Sequence, residues 1–126
     1  MTGPLSVSAG AHFASDTVTI DRIGQIAEDG AITLTGTYRC SSPRLGPVLI
    51  GSKAVQGDAR ASLDGIVANC DGQQRTWRAT GQASGTFRPG AARGEATLIQ
   101  LDLSHGLVPF PTVLTAGDTQ LTLQRG

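Results

Sequence analysis

The stretch that decides the fold is Ala31–Cys40, AITLTGTYRC. Ile32, Leu34, Gly36, Tyr38 and Cys40 fall on one face, and Thr33, Thr35, Thr37 and Arg39 on the other. A strict period of two places one face in a core and leaves the other wet. The threonine row also has high β propensity. This strand ends on one of only two cysteines in the chain. The other closes the short apolar run GIVANC, residues 65–70, in which Ile66, Ala68 and Cys70 share a face. A disulfide between Cys40 and Cys70 is therefore expected, stapling a small β domain in an oxidising compartment. Closing a loop of that length stabilises by about 3–4 kcal/mol in the chain-entropy account.

Upstream, DTVTID (16–21) reads as a strand with Val18 and Ile20 on one face. A short run from Ile23 to Ala27 stops at Glu28-Asp29-Gly30, and Asp-Gly is a strong hairpin signal. Downstream, SSPRLGP (41–47) is a loop with proline towards both ends, and GPVLIGSKAVQ (46–56) is the next strand. RTWRATG (75–81) is a strand carrying Trp77 and Ala79. ASGTFRPGAARG (83–94) reads as a long glycine-rich loop. EATLIQLDL (95–103) is a strand with Ile99, Leu101 and Leu103 aligned. SHGLVPFPTVLTAGD (104–118) is an apolar connection that its prolines keep from being a regular strand. TQLTLQ (119–124) closes the chain at a sheet edge, with Leu121 and Leu123 inward.

Roughly seven or eight short strands and no helix predict an all-β, immunoglobulin-like two-sheet sandwich with one disulfide. Its expected core is Ile32, Leu34, Tyr38, Ile66, Ala68, Ile99, Leu101, Leu121 and Leu123, with Trp77 also inside. The 126 residues suit one domain over 16–126. Residues 1–15 have no periodicity and are expected to form a flexible tail. That stretch, MTGPLSVSAGAHFAS, lacks the charged and apolar regions of a signal peptide. Its small residues resemble the segment downstream of a signal cleavage site. The chain therefore reads as a mature secreted domain, with Met1 an added start residue.

Charge and composition narrow the function. Ten basic and ten acidic residues balance, and no basic run exists. That leaves no electrostatic footprint for nucleic acid or an anionic membrane. No apolar run reaches the roughly 18 residues of a membrane helix. His12 and His105 are far apart, and with both cysteines paired no metal cluster assembles, so no metal or cofactor is expected. Ser104 and His105 are neighbours that would point apart on a strand, and no GxSxG turn exists. The chain is expected not to be an enzyme.

The block from Val18 to about Leu123 resembles a family of small secreted actinobacterial proteins known only as a domain of unknown function. DGAITLTGTYRCS, GPVLIGSKAVQG, NCDGQQRTW, ARGEATLIQLDL and GLVPFPTVL carry the resemblance. It implies export and an immunoglobulin-like or related β-sandwich, and it brings no catalytic residues.

What remains is a secreted, non-enzymatic module that binds another protein, such as an adaptor subunit of a larger secreted antibacterial toxin assembly. GLVPFPTVL offers Leu107, Val108 and Phe110 as a hydrophobic contact, unless it packs across one end of the sandwich. Phe13 could anchor the tail in a partner groove. An alternative is a protease inhibitor that presents Arg44 on the stiff Ser41–Pro47 loop. A further alternative is a weak carbohydrate-binding module, for which Trp77 and Tyr38 would have to be exposed.

Overall fold

The computed structural model describes residues 16–41, 46–104, 106 and 108–126. Among them are ten strands and no helix. They are β1 (Thr17–Val18), β2 (Ile23–Ile26), β3 (Ile32–Arg39), β4 (Val48–Gln56) and β5 (Ala59–Ser62), followed by β6 (Ile66–Val67), β7 (Arg75–Gly81), β8 (Ala83–Ser84), β9 (Gly90–Asp102) and β10 (Phe110–Arg125).

Hydrogen bonding joins all ten into one sheet. β3 carries β7 along one side and β1 and β2 along the other. β2 then runs parallel to the end of β10, pairing Ile23 with Thr122. β10, β9, β4 and β5 follow as antiparallel neighbours, and β8 lies on β5. Only Gln82 separates β7 from β8. One nearly continuous segment thus supplies both margins of the sheet, so the sheet closes on itself around a single core. The amide of Asp64 donates to the carbonyl of Thr80 (3.0 Å) across this seam.

The all-β expectation and the disulfide hold. The pairing, however, forms a closed ring and not two separately bonded sheets of immunoglobulin type. The physical reason is the length of β9 and β10, which carry pairing from one side of the core to the other. Closure also leaves few unprotected edges.

The core collects the inward faces. Ile32 and Leu34 from β3, Ile50 from β4 and Leu98 from β9 are fully buried, and Leu121 and Leu123 of β10 join them. Val18 and Ile20 are inward as their spacing predicts. The turn after β2 is also as predicted: the amide of Gly30 donates to the carbonyl of Ala27 (2.9 Å), and Asp29 Oδ1 accepts from the Ala31 amide (3.0 Å). Cys40 and Cys70 are bonded and buried. Beside them the Tyr38 hydroxyl accepts from the Asn69 amide (2.9 Å), and the Cys40 carbonyl accepts from the Gly72 amide (2.8 Å). These bonds bring the segment after β6 under the end of β3.

Four expectations need correction. Ile99 and Leu101 are only half-buried and face outward, and Gly94, Ala96 and Leu98 supply the inward face of β9. Ile66 and Ala68 pack at the rim of the core and not within it. The glycine-rich stretch 83–94 is no simple loop: it contains β8 and the start of β9, and Phe87 within it is buried. The proline-broken connection becomes β10 from Phe110 onward, and the end of that strand, Thr122–Arg125, lies between β9 and β2, not at an edge.

Candidate functional site

The outward faces of β6, β4, β9 and β10 form one surface, and its residues follow from the register. Residues opposite one another on adjacent antiparallel strands share a face. Val67 pairs Leu49, Leu49 pairs Ile99, and Ile99 pairs Val113. Four aliphatic side chains therefore form a row across four strands. Its two ends are open to solvent, Val67 at 71% and Val113 at 63% exposure. The next row towards the β9–β10 connection pairs Leu101 with Pro111. The amide of Leu101 also donates to the Pro47 carbonyl (2.8 Å). Beyond it lie exposed Leu103 and Val108. Phe110 is also exposed, but it pairs with buried Asp102 and so lies on the opposite face of the sheet. A bulge at Leu114, between the pairs Leu98–Thr115 and Ile99–Val113, sets the twist of β10 here.

The other half of the same face is polar. Gly51 and Thr97 pair next to the aliphatic row, and Lys53, Glu95 and Asp118 form the row after that. Lys53 Nζ lies 3.6 Å from Glu95 Oε1, and Arg93 Nη2 donates to Asp118 Oδ2 at 2.9 Å. Asp118 holds the Arg93 guanidinium even more firmly protonated than usual. The absent side chain of Gly51 opens a shallow depression of about 250 Å³ between Lys53, Ser62, Glu95 and Thr97. A second, of about 260 Å³, lies between Glu95, Thr97, Gly117 and Asp118. Both are bordered by carboxylates already engaged with a cation. The face is thus amphipathic along the strands, apolar towards the β9–β10 connection and ion-paired towards the other end.

The residues singled out from sequence fall in three groups. Cys40 and Cys70 are a buried disulfide. Val108 and Phe110 are exposed, Phe110 on the face opposite to the aliphatic row, and Leu114 of the same segment packs against the core. Phe13, Arg44 and Leu107 lie outside the described residues, as do His12 and His105. Trp77 and Tyr38 are buried, so neither serves as a platform for a sugar ring. The Trp77 indole instead donates to the Thr19 carbonyl (2.9 Å). Among the described residues no three of His, Cys, Asp and Glu gather as a metal site.

One further charged feature lies beside the disulfide. Arg75 grips Asp71, donating from Nε to both carboxylate oxygens (3.2 Å each) and from Nη2 to Oδ2. Asp71 Oδ1 also accepts from the Gln73 amide (3.1 Å). The Arg75 contact, with help from that amide, lowers the Asp71 carboxyl to about 2. The clamp fixes the turn that leads from Cys70 into β7 and has the form of turn chemistry.

Sequence reading missed Val67, Leu49, Ile99 and Val113 as a group. Each lies on a different strand, and only the register brings them into line.

Fold and surface together define a disulfide-linked, all-β domain built as a ring of strands, with an open apolar face on one side. The chain belongs to a family of unknown function, DUF6299, whose model matches residues 14–126. No curated protein and no solved structure matches it.

Proposed function

We propose that this protein is a secreted, non-enzymatic interaction module that binds another protein through the apolar half of its outer face. The observation that carries the reading is the row Val67–Leu49–Ile99–Val113, continued by Leu101 and exposed Leu103 and Val108. Scattered exposed aliphatics are ordinary, but a contiguous patch is characteristic of an interface. The salt-bridged rows beside it suit a polar rim, where ion pairs guide orientation more than they add affinity. The disulfide accords with an extracellular setting. An adaptor subunit of a larger secreted assembly, such as an antibacterial toxin particle, fits a small rigid domain with one such face.

The test is a comparative capture from the secreted proteins of the source cells. The parent protein and a Val67→Lys/Val113→Ser variant serve as baits at matched micromolar concentration. A partner retained by the parent and lost by the variant supports the reading. A partner retained equally by both places the contact elsewhere. No partner for either bait overturns the reading.

A further inference from the structure

The chain contains three Asp–Gly steps, Asp29–Gly30, Asp64–Gly65 and Asp71–Gly72, and no Asn–Gly step. Glycine leaves its own amide nitrogen unshielded by a side chain, so each step is open in principle to succinimide formation. The ring closes only when that nitrogen reaches Cγ of the aspartate and the carboxyl loses its hydroxyl. In two of the steps the fold holds both groups. At Asp29–Gly30 the glycine amide donates to the Ala27 carbonyl (2.9 Å), and Asp29 Oδ1 accepts from the Ala31 amide (3.0 Å). At Asp71–Gly72 the glycine amide donates to the Cys40 carbonyl (2.8 Å), and Arg75 and the Gln73 amide clamp the carboxylate. Asp64–Gly65 is built differently. Both residues are exposed, a Cβ on Gly65 would meet nothing within 4 Å, and Gly65 does not adopt a positive φ. The chain on either side is pinned. The amides of Leu63 and Asp64 donate to the carbonyls of Ser52 and Thr80 (3.0 Å each), and Ile66 pairs with Ile50.

We propose that Asp64–Gly65 is the site of isoaspartate formation in the folded protein, and that the modification loosens β6. The Gly65 nitrogen bonds to Asp64 Cγ, and the carboxyl's hydroxyl leaves as water with the amide proton. Water then adds at the former backbone carbonyl and breaks its bond to nitrogen. The chain now runs through the Asp64 side chain, one carbon longer, and the old backbone carbonyl is the free carboxylate. No oxidant or cofactor takes part. The added carbon falls between two anchors, the Asp64 amide on Thr80 and Ile66 on Ile50. Only Gly65 separates them, so the extra length passes into β6. That strand pairs at Ile66 and Val67 alone, and its displacement carries Val67 out of line with Leu49.

The site does not depend on the partner-binding reading. The folded chain, disulfide intact, is aged at neutral pH. An isoaspartyl methyltransferase counts the product, and electron-transfer fragmentation of the peptides assigns it to a step. We expect conversion at Asp64 about tenfold faster than at Asp29 or Asp71, a barrier difference of about 1.4 kcal/mol. In the reduced, unfolded chain the three rates should converge. Gly65→Ala, whose methyl enters open space, should keep the parent's melting temperature and slow conversion at Asp64. Arg75→Ala, which releases Asp71, should speed conversion at Asp71 and leave Asp64 unchanged. The Ala68 amide, which donates to the Val48 carbonyl (2.8 Å), should exchange faster in the converted protein. Conversion at Asp29 or Asp71 as fast as at Asp64 overturns the proposal. So does the same preference in the unfolded chain, which makes it a property of local sequence. An Asp64 that converts unfolded but not folded overturns it too, and an unchanged Ala68 amide refutes the loosening of β6. Partner capture by freshly prepared protein is untouched by any of these results, so the two readings fail separately.

Discussion

Gly36→Ala should be among the most damaging single-methyl changes in this protein. Gly36 sits mid-strand in β3, directly opposite Trp77 of β7. A Cβ there would lie 1.9 Å from the Thr19 carbonyl oxygen and 2.6 Å from the Trp77 indole nitrogen. Those two atoms are hydrogen-bonded to each other at 2.9 Å. The methyl group would therefore push into the space where the indole reaches the backbone. Relief requires moving the Thr19 segment, whose amide donates to Thr37 (2.8 Å) and whose hydroxyl bonds the Thr37 hydroxyl (2.7 Å). Overpacking of this kind costs about 1–3 kcal/mol. A buried indole N–H left without its acceptor costs a further ~1–3 kcal/mol. Together they remove about 2–6 kcal/mol from a stability that for such domains is about 5–15 kcal/mol. Urea denaturation followed by the fluorescence of Trp77, the chain's single tryptophan, measures the loss in the reporter that is disturbed. The double variant Gly36→Ala/Trp77→Phe should be less destabilised than the sum of the two singles, because both remove the same bond. A Gly36→Ala protein within about 0.5 kcal/mol of the parent, a change typical of neutral surface sites, would refute the placement of Thr19 over this glycine.

Replacing both Cys40 and Cys70 with alanine should cost about 3–4 kcal/mol by releasing a loop with a sequence separation of 30, read from the denaturation midpoint. Ser52→Ala should be neutral or stabilise by about 1 kcal/mol, because the Ser52 hydroxyl is buried without a hydrogen-bond partner among the described residues; a clear loss in thermal midpoint would contradict this. The Asp71 carboxyl is depressed to about 2 from its usual 3.8, so its stabilising contribution is present above about pH 4 and fades as pH falls through about 2. Asp71→Asn should therefore melt earlier than the parent at neutral pH, with the two curves converging near pH 2.

How far the fold could be read from sequence depended on whether the deciding contacts were local. β3 was legible because its alternation is strict and its large inward residues, Ile32, Leu34 and Tyr38, have no rivals on the opposite face. The two cysteines were legible because they are the only pair. The closed ring was not, because its defining contacts join distant segments. β2 pairs with the last residues of the chain in parallel, and β8 completes the circle with two residue pairs on β5. Neither leaves a local pattern. Pro109 and Pro111 suggested a break because proline cannot serve in a central strand. Pro109 precedes β10, and Pro111 is tolerated because the start of β10 has described strand pairing on one side only.

The error at β9 explains why the candidate surface stayed hidden. Ile99 and Leu101, with Leu103 just past the strand's end, are the largest aligned aliphatics there, so hydrophobicity alone assigns them to the core. The opposite face, Gly94, Ala96 and Leu98, looks too small to compete. Its smallness is what the core requires: a Cβ at Gly94 would lie 2.8 Å from Leu121 Cδ2 and 3.3 Å from Leu34 Cδ1. The core is already filled by leucines from β3 and β10, so β9 must approach with its small face, and its large aliphatics are turned outward. An interior at native density has no room to accept them. The same residues then need another source of apolar contact, and across the sheet they find Leu49, Val67 and Val113. A strand with small residues on one face and large aliphatics on the other is thus open to two readings. Packing density settles the choice: here the small side faces the core, and the large side forms the surface on which the partner is proposed to act.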